Sequence, residues 1–584
     1  IYHEDICALL TGESADHPQP GGLRMVGGAK PGELVLAETS SGRRMGLPRA
    51  RITERLGATM QDPRAFSLIA IHANGIPVNF AADVIAEAEA AKPVTKLTGR
   101  EDMRDIPLVT IDGADARDFD DAVFAEPDTD KKNADGWHLI VAIADVAWYV
   151  RPGDALDIGA YERSNSVYFP DRVVPMLPEA LSNGWCSLVP GEDRPCMAAH
   201  MWINAAGELT KHRFVRALMR SHARLTYEQV QAARDGHADD NTAPLAQNVI
   251  APLYGAYEVL NKARHKRGVL ELDLPERRIV IGTDGKVERV DMRERFDSHK
   301  LIEEFMVTAN VAAAETLEKK RQPCMYRIHD EPSMEKMESL RQFLDSLSIR
   351  LAKGQVIRAE VFNRILEKVK DTPNASLVND VVLRSQSQAE YNPENIGHFG
   401  LALRRYCHFT SPIRRYADLL VHRALISGLA LGDGGLADDT RDFARMGESL
   451  SKNERRAAAA ERSSVDRFCA LFLAEKVGSI FPGRVNGVTR FGLFITLDDS
   501  GADGLVPMRS LPDDYYIHDE TRHLLRGRRS KRVFRLGDKV DVMLMEADPV
   551  TGSMIMQVID GEALQSPKRA TARARGPSSK KPKK

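Results

Sequence analysis

The fold is decided by the stretch Thr110-Ile-Asp-Gly-Ala-Asp-Ala-Arg-Asp-Phe-Asp-Asp-Ala-Val-Phe124. It carries five carboxylates within ten residues, and Arg117 is the only basic residue among them. Like charges at this density repel and raise one another's pKa, so a folded chain keeps them only on a solvated surface or around a cation. Clustered carboxylate oxygens are ligands that magnesium and manganese prefer. The five carboxylates belong to Asp112, Asp115, Asp118, Asp120 and Asp121.

The residues on either side of the acidic stretch are apolar and partly β-branched. Ile106 to Ile111 precede it and Ala122-Val-Phe-Ala125 follow it. The pattern predicts a strand, an irregular acidic turn and a second strand, with the carboxylates where functional groups usually lie. A solvated acidic turn or a calcium loop would have a similar composition. The EF-hand template is not met, because it requires glycine at its sixth position and glutamate at its twelfth.

Length and composition narrow the class of protein. A chain of 584 residues is too long for one core and predicts three or four domains. No run of about 18 apolar residues is present, so no membrane span is expected. Six scattered cysteines without a C-x-x-C pair favour neither a disulfide framework nor a zinc knuckle, and indicate a reducing cytoplasm. The start at Ile1 is expected to be the edge of a longer protein.

Several further motifs follow the acidic stretch along the chain. They are Val141-Ala-Ile-Ala-Asp-Val146, Ser166-Val-Tyr-Phe-Pro-Asp-Arg172, Pro175-Met-Leu-Pro-Glu179, Leu181-Ser-Asn-Gly184, Ala223-Arg-Leu-Thr-Tyr227, Leu301-Ile-Glu-Glu304, Gly397-His-Phe-Gly-Leu401 and His408-Phe-Thr-Ser-Pro-Ile-Arg-Arg-Tyr416. Together with the acidic stretch, and in the same order, these motifs resemble the ribonuclease II and ribonuclease R family of exoribonucleases, and more closely the ribonuclease R branch.

The resemblance implies a multidomain α+β protein, in which an RNB-type catalytic domain is flanked by OB-fold β-barrels. We expect an incomplete cold-shock-like OB domain over 1–92, the catalytic domain over 93–476 and an S-one type RNA-binding barrel over 477–563. Residues 564–584 contain eight Lys/Arg and no acids, which predicts a disordered basic tail attracted to RNA or ribosomes. Because the net charge is −2, the residues before this tail carry −10.

The resemblance also assigns roles to the acidic stretch and to the Ser-Pro-Ile-Arg-Arg motif. Asp112, Asp118 and Asp121 are expected to be metal ligands, and Asp120 to be the carboxylate most needed for catalysis, as ligand or as orienter of the attacking water. Two divalent ions would stabilise the attacking and leaving oxygens of a phosphodiester. Arg414 would neutralise the scissile phosphate, and Arg415 would hold a neighbouring phosphate.

Other positions match nucleotide-binding residues of the family. Tyr168 would contact the terminal nucleotide, Tyr227 and Glu303 the terminal ribose, and Glu461 would tune product release. Leu272 stands where the family commonly has a stacking phenylalanine, so aromatic stacking is lost there. In the C-terminal barrel, Phe491 and Phe494 are the candidates for base stacking, although packing in the barrel core is as common a role for such residues.

The sequence therefore predicts a Mg²⁺-dependent, or Mn²⁺-dependent, processive 3′→5′ exoribonuclease that releases nucleoside 5′-monophosphates. Its substrates would be single-stranded and structured RNA, and it would act as a cytoplasmic monomer without membrane contact. The alternative is an RNA-binding regulator of the same fold without nuclease activity. A third interpretation, a DNA-directed metallonuclease, differs only in the sugar that is recognised.

Overall fold

The computed structural model describes residues 5–6, 33–44, 47–59, 62–272, 276–354, 356–372, 374–437, 442–520 and 523–559. Its N-terminal part is a three-stranded antiparallel sheet, followed by two helices. These elements are β1 Asp5–Ile6, β2 Glu33–Arg44, β3 Leu47–Thr59, α1 Arg64–Ala73 and α2 Ala82–Glu89. Much of the expected cold-shock-like barrel and the whole basic tail lie outside the described residues.

A seven-stranded sheet forms the centre of the molecule, with the strand order β12-β5-β6-β7-β10-β11-β4. Residues Leu139 to Ala144 of β7 are buried on both faces, which explains their uninterrupted apolar run. The elements of this part are β4 Glu101–Met103, β5 Val109–Asp112, β6 Asp121–Pro127, β7 Trp137–Ala144, α3 Val146–Tyr149, α4 Ala155–Arg163, β8 Val167–Tyr168, β9 Val173–Val174, β10 Asp193–Ile203, β11 Leu209–Arg220 and β12 Ala223–Thr226.

Helices dominate the next part and cover the sheet. The elements are α5 Tyr227–Arg234, α6 Ala251–Arg267, β13 Arg277–Ile281, β14 Val287–Met292, α7 Asp297–Lys320, β15 Tyr326–Ile328, α8 Met334–Ser346, α9 Ala359–Val369, α10 Ala375–Ser385, β16 Glu390–Asn392, α11 Tyr416–Leu429 and α12 Phe443–Ala474. Helices α6, α7 and α11 share the main hydrophobic core with the sheet, while α8, α9 and α10 form a smaller core of their own.

The C-terminal part is a closed barrel with the strand order β17-β18-β19-β24-β23, which confirms the predicted OB-type fold there. A three-stranded sheet, β20-β21-β22, is inserted between β19 and β23. The strands are β17 Ile480–Thr489, β18 Gly492–Leu497, β19 Asp503–Pro507, β20 Tyr516–Asp519, β21 Leu524–Gly527, β22 Val533–Arg535, β23 Lys539–Asp548 and β24 Ser553–Val558. No helix in the described part of the chain is long and apolar enough to cross a membrane.

Helix α12 connects the sheet and its covering helices with the barrel. It has 32 residues and is therefore about 48 Å long. Asp442 caps its first turn by accepting a hydrogen bond from the Arg445 N–H. Cys469, Ala470 and Leu473 near its end belong to the same hydrophobic cluster as the barrel interior. Shorter helical turns occur at Lys131–Asn133, Ala180–Trp185, Ala243–Leu245, Ala246–Ile250 and Met508–Ser510.

Candidate active site

The acidic stretch forms the turn that the sequence predicts between two paired strands. Strands β5 and β6 are antiparallel, with Val109 opposite Val123. Asp112 ends the first strand and Asp121 begins the second, so both lie at the same end of the pair. Asp118 and Asp120 lie in the loop between them, which brings all four predicted metal ligands into one loop. Asp115, which was not assigned a role, is exposed.

Hydrogen bonds from distant residues hold this acidic loop in place. The Phe119 N–H donates to Ser187 Oγ at 2.9 Å. The Arg224 guanidinium donates to the carbonyl oxygens of Gly113 and Ala114, both at 2.8 Å. The loop is thus a fixed part of the fold and not a solvated turn. Sequence reasoning missed both partners, although Arg224 lies in the Ala-Arg-Leu-Thr-Tyr motif next to Tyr227.

Two of the four carboxylates keep a buried oxygen that accepts no hydrogen bond. Asp120 is only 4% exposed, and its Oδ1 accepts the Ile413 N–H at 2.9 Å while its Oδ2 has no donor. Asp112 Oδ2 is likewise buried without a donor. Buried carboxylate oxygens without donors are costly, so these two atoms indicate a missing positive partner.

Burial and mutual repulsion disturb the titration of this cluster. Burial, reinforced by the charges of Asp121 and Asp118, raises the pKa of Asp112 to about 8. Burial raises the pKa of Asp121 to about 6, although the guanidinium groups of Arg414 and Arg415 oppose the change. Burial also raises the pKa of Asp120 well above its ordinary value. Each of these shifts would be relieved by a bound cation.

No group of three or more histidine, cysteine, aspartate or glutamate side chains in the described residues is arranged to hold a metal ion as it stands. The donor chemistry nevertheless fits a hard divalent cation, since the loop offers carboxylate oxygens only. The oxygens without donors on Asp112 and Asp120 belong to this same set. The residues present therefore fit the cation that the sequence implies.

Arg414 lies beside the acidic loop and remains accessible. Its Nε is 3.8 Å from Asp120 Oδ2, and its side chain is 43% exposed. Its position follows from the backbone, because the Ser166 N–H donates to the Arg414 carbonyl at 3.0 Å and the Tyr416 N–H donates to the Ser164 carbonyl at 2.9 Å. The guanidinium can therefore meet an anion that arrives at Asp120.

Arg415 has a different environment from its neighbour. Its guanidinium donates to Asp418 Oδ1 at 2.9 Å, and the Asp418 side chain is completely buried. Asp418 also accepts the Ser411 N–H at 2.8 Å. Burial alone would lower the pKa of Arg415, but the charge of Asp418 raises it above its ordinary value. Asp418 therefore offsets much of the positive charge of Arg415, which was expected to hold a phosphate.

Tyr168 connects Asp118 of the acidic loop with Glu461 of helix α12. The Tyr168 hydroxyl donates to Asp118 Oδ2 at 3.2 Å, and the Tyr168 N–H donates to Glu461 Oε1 at 2.8 Å. Both residues line a cavity of about 320 Å³ together with Arg414 and Arg415. Four predicted site residues from three distant segments therefore border one space next to the aspartates.

Tyr227 and Glu303 lie on the helices that adjoin the acidic loop. Tyr227 begins α5, and burial together with the charges of Asp121 and Asp112 raises its pKa. Glu303 lies on α7, accepts a hydrogen bond from Arg264 at 2.9 Å and pairs with Arg295. The Glu303 carboxylate is thus already engaged by two guanidinium groups.

The three remaining predicted residues lie elsewhere. Leu272 is partly buried against the small hydrophobic core of α8, α9 and α10. Phe491 lies in the turn between β17 and β18 and is 63% exposed, and Phe494 lies on β18 and is 41% exposed. Arg490 lies over the Phe491 ring at 4.9 Å. Both phenylalanines are outside the barrel core, as a stacking role requires.

Comparison with known proteins identifies relatives for most of the chain. Residues 100–430 match the family model described as RNB domain, and residues 475–559 match the one described as S1 RNA binding domain. Ribonuclease R of Escherichia coli strain K12 is 43% identical over 530 residues, which are 88% of this chain and 64% of that protein. Ribonuclease R of Thermotoga maritima is 38% identical over 550 residues, which are 92% of this chain and 76% of that protein.

The fold is similar to a solved structure described as Mycoplasma genitalium RNase R in complex with ribose methylated single-stranded RNA. The TM-score is 0.85 and the sequence identity 27%, and the match covers 92% of this chain and 84% of that chain. The chain spans slightly less than two thirds of the Escherichia coli relative.

Proposed function

Because the chain belongs to the ribonuclease R family of RNB-domain proteins, we propose that it is a divalent-metal-dependent exoribonuclease. It shortens RNA from the 3′ end, processively, and releases nucleoside 5′-monophosphates. The substrates are single-stranded RNA and structured RNA that offers a free 3′ end. The catalytic unit comprises residues 93–476, the barrel of residues 477–563 binds RNA, and the protein acts as a cytoplasmic monomer.

One observation carries this proposal: the accessible guanidinium of Arg414 lies 3.8 Å from the buried oxygen of Asp120 that lacks a donor. A phosphodiester bound beside Asp120 would present its negative charge to the arginine. Preorganised positive charge of this kind stabilises the charge that develops during phosphoryl transfer. Arg415 differs, because it is only 20% exposed and is paired at 2.8 Å with the fully buried Asp418.

Asp112, Asp118, Asp120 and Asp121 are the residues that would hold magnesium or manganese. When bound, the cations would offset the negative charge of the carboxylates and the charge on the attacking and leaving oxygens of the phosphodiester. The aspartates supply the ligand oxygens, and the Ile413 N–H fixes the orientation of the Asp120 carboxylate. Arg415 supports the neighbouring backbone through Asp418.

The cavity beside the aspartates is where the terminal nucleotide would lie. Tyr168, fixed by Asp118 and Glu461, forms one wall of it. Tyr227 and Glu303 would meet the terminal ribose, and contacts to the 2′-hydroxyl are what distinguish RNA from DNA. Phe491 and Phe494 on the barrel would stack upstream bases without reading sequence.

The test is the substitution Asp120→Asn, with Asp115→Asn in the same loop as the matched control. With a 5′-labelled single-stranded RNA and magnesium, the unchanged chain and Asp115→Asn should release mononucleotides, and EDTA should stop them. Asp120→Asn should reduce hydrolysis by at least about 10³-fold while RNA affinity stays within a few-fold. An equal loss of affinity and hydrolysis would make Asp120 structural and contradict the proposal.

Two alternatives give different results in the same assay. An RNA-binding regulator without nuclease activity would bind the labelled RNA and release no nucleotide from it in either magnesium or manganese. A DNA-directed enzyme would digest the matching deoxy-oligomer as completely as the RNA.

A further inference from the structure

Residues 293–296 connect the barrel side of the molecule with the candidate active site. They follow β14, whose Val290 packs in the same cluster as the barrel interior. They precede α7, which carries Glu303 two turns further along. A strand of RNA that passed from the barrel to the aspartates would therefore run beside this segment.

Three aromatic rings stack in a column at this point. The rings of Tyr227 and His299 are 4.0 Å apart and inclined by 16°, and those of His299 and Phe296 are 5.7 Å apart and inclined by 25°. The column begins near the aspartates, because Thr226, the residue before Tyr227, lies opposite Asp112 in the β5–β12 pair. Tyr227 also packs against the main core. Phe296 is thus the end of the column that lies farther from the core.

Phe296 has few of the contacts that a half-buried phenylalanine normally makes. Within the described residues it belongs to none of the hydrophobic clusters. Its ring packs on His299, and its N–H donates to His299 Nδ1 at 3.1 Å, which fixes the imidazole. The ring is held by its neighbours and lies outside these clusters, so packing in a core does not account for it.

Two exposed arginines immediately precede this ring in the chain. The side chains of Arg293 and Arg295 are each more than half exposed, and they pair with Glu276 and Glu303 respectively. Exposed pairs of this kind are weak, so a phosphate can replace the carboxylate. Aromatic rings combined with exposed basic side chains are the means by which proteins hold single-stranded nucleic acid without reading its sequence.

We propose that Phe296 stacks on a base of single-stranded RNA several nucleotides upstream of the scissile phosphate, with Arg293 and Arg295 on the adjoining phosphates. His299 is the positioning residue between this ring and Tyr227. The inference rests on the proposed function for the direction in which the RNA runs.

The test measures binding by the full chain that carries Asp120→Asn, so that RNA is not consumed. Fluorescein-labelled oligoadenylates of two, four, eight and twelve nucleotides are titrated in magnesium, and anisotropy is recorded. Adding Phe296→Ala should leave the dinucleotide affinity unchanged and weaken the longest oligomer roughly tenfold. Phe296→Trp, which keeps an aromatic face, should bind like the parent. Met334→Ala, at an exposed position on α8, is the control and should also bind like the parent.

Two results would overturn the inference. Equal loss at every length, including the dinucleotide, would mean that the ring only supports Tyr227. Unchanged affinity at every length would mean that no base reaches it. A failure of the proposed function would be recognised separately, because the chain with Asp120 intact would then release no nucleotide from RNA in magnesium.

Discussion

Two sets of buried aspartates lie within the catalytic unit, and the protein treats them in opposite ways. Asp145 accepts hydrogen bonds from Arg100 at 2.7 Å and from Arg216 at 3.0 Å. Burial alone would raise the pKa of Asp145, but the two guanidinium charges hold it below its ordinary value. Asp157 is bonded by Arg423 at 2.7 Å in a similar way. These carboxylates are neutralised by the chain itself.

The acidic loop lacks this compensation. Asp112 and Asp120 each keep a buried oxygen without a donor, and the pKa of Asp112 is raised to about 8. Arg414, the nearest guanidinium to Asp120, is 3.8 Å away and turned partly to solvent. The difference separates aspartates that stabilise the fold from aspartates that make it less stable until something binds. Removing the arginine that compensates a buried aspartate should therefore destabilise the fold. Removing a carboxylate from the acidic loop should stabilise it when no metal is bound.

The largest effect is expected where a compensated pair is broken. Arg423→Ala would leave Asp157 buried with its main positive partner removed, which costs roughly 3–5 kcal/mol of unfolding free energy. Denaturant unfolding of the full chain measures the loss. The double variant Asp157→Asn/Arg423→Met removes both charges, keeps a side-chain oxygen that can accept from the Tyr416 hydroxyl, and should recover most of the loss. Equal instability in the two variants would show that packing, and not the charge, is responsible.

The two adjacent arginines sharpen the comparison at the site itself. Arg414→Ala should lower kcat by roughly 10² to 10³ with little change in stability, because the side chain is 43% exposed and, on the proposed function, meets the scissile phosphate. Arg415→Ala should instead destabilise the fold, because it leaves Asp418 buried and unpaired. Steady-state kinetics and thermal unfolding of both variants separate the two roles. A stable, fully active Arg414→Ala would contradict the assignment.

A smaller effect, of opposite sign, is expected in the acidic loop. The folded pKa of Asp112, about 8, lies above its unfolded value near 4, so the stability that its proton provides is complete below pH 4 and lost as the pH rises through 8. In EDTA at pH 8, Asp112→Asn should therefore have a higher free energy of unfolding than the unchanged chain.

The pH dependence and a control variant check this last expectation. The gain in unfolding free energy that Asp112→Asn provides should become smaller as the pH falls towards 5. Magnesium should also reduce this gain, because it stabilises the unchanged chain. The matched control Asp115→Asn, at an exposed position of the same loop, should change nothing. If Asp112→Asn instead destabilised the chain at pH 8 without metal, groups of the protein itself would already offset the charge of Asp112.

A local pattern predicted the centre of this architecture correctly. The two strands around the acidic turn follow from apolar and β-branched residues within a short window of sequence. The C-terminal barrel and the mixed α+β fold class were implied by the family resemblance, and both are confirmed together with the resemblance itself. The strand pair was legible from the residues alone because it depends only on positions that are neighbours in the chain.

Other features depend on residues that are far apart in the chain. Asp120 and Ile413 are 293 positions apart, so no local pattern could have paired them. Only the resemblance suggested that the segment around Arg414 lies at the same site as Asp120. The environment of Arg415 was legible in principle, because Asp418 follows it at the i,i+3 spacing of a helix. The stacking of Phe296 on His299 has the same spacing. The sequence did not reveal this stacking, because two aromatic residues close together at the start of a helix do not by themselves indicate a binding site.

The backbone pairing of Ser164 and Ser166 with Arg414 and Tyr416 has a consequence for biosynthesis. A ribosome adding 5–20 residues per second needs about 15–60 s to travel the 293 positions from Asp120 to Ile413. During that interval the nascent chain holds its acidic loop without the guanidinium that completes it. On the proposed function, the unfinished chain therefore cannot hydrolyse the messenger RNA from which it is being translated during this time.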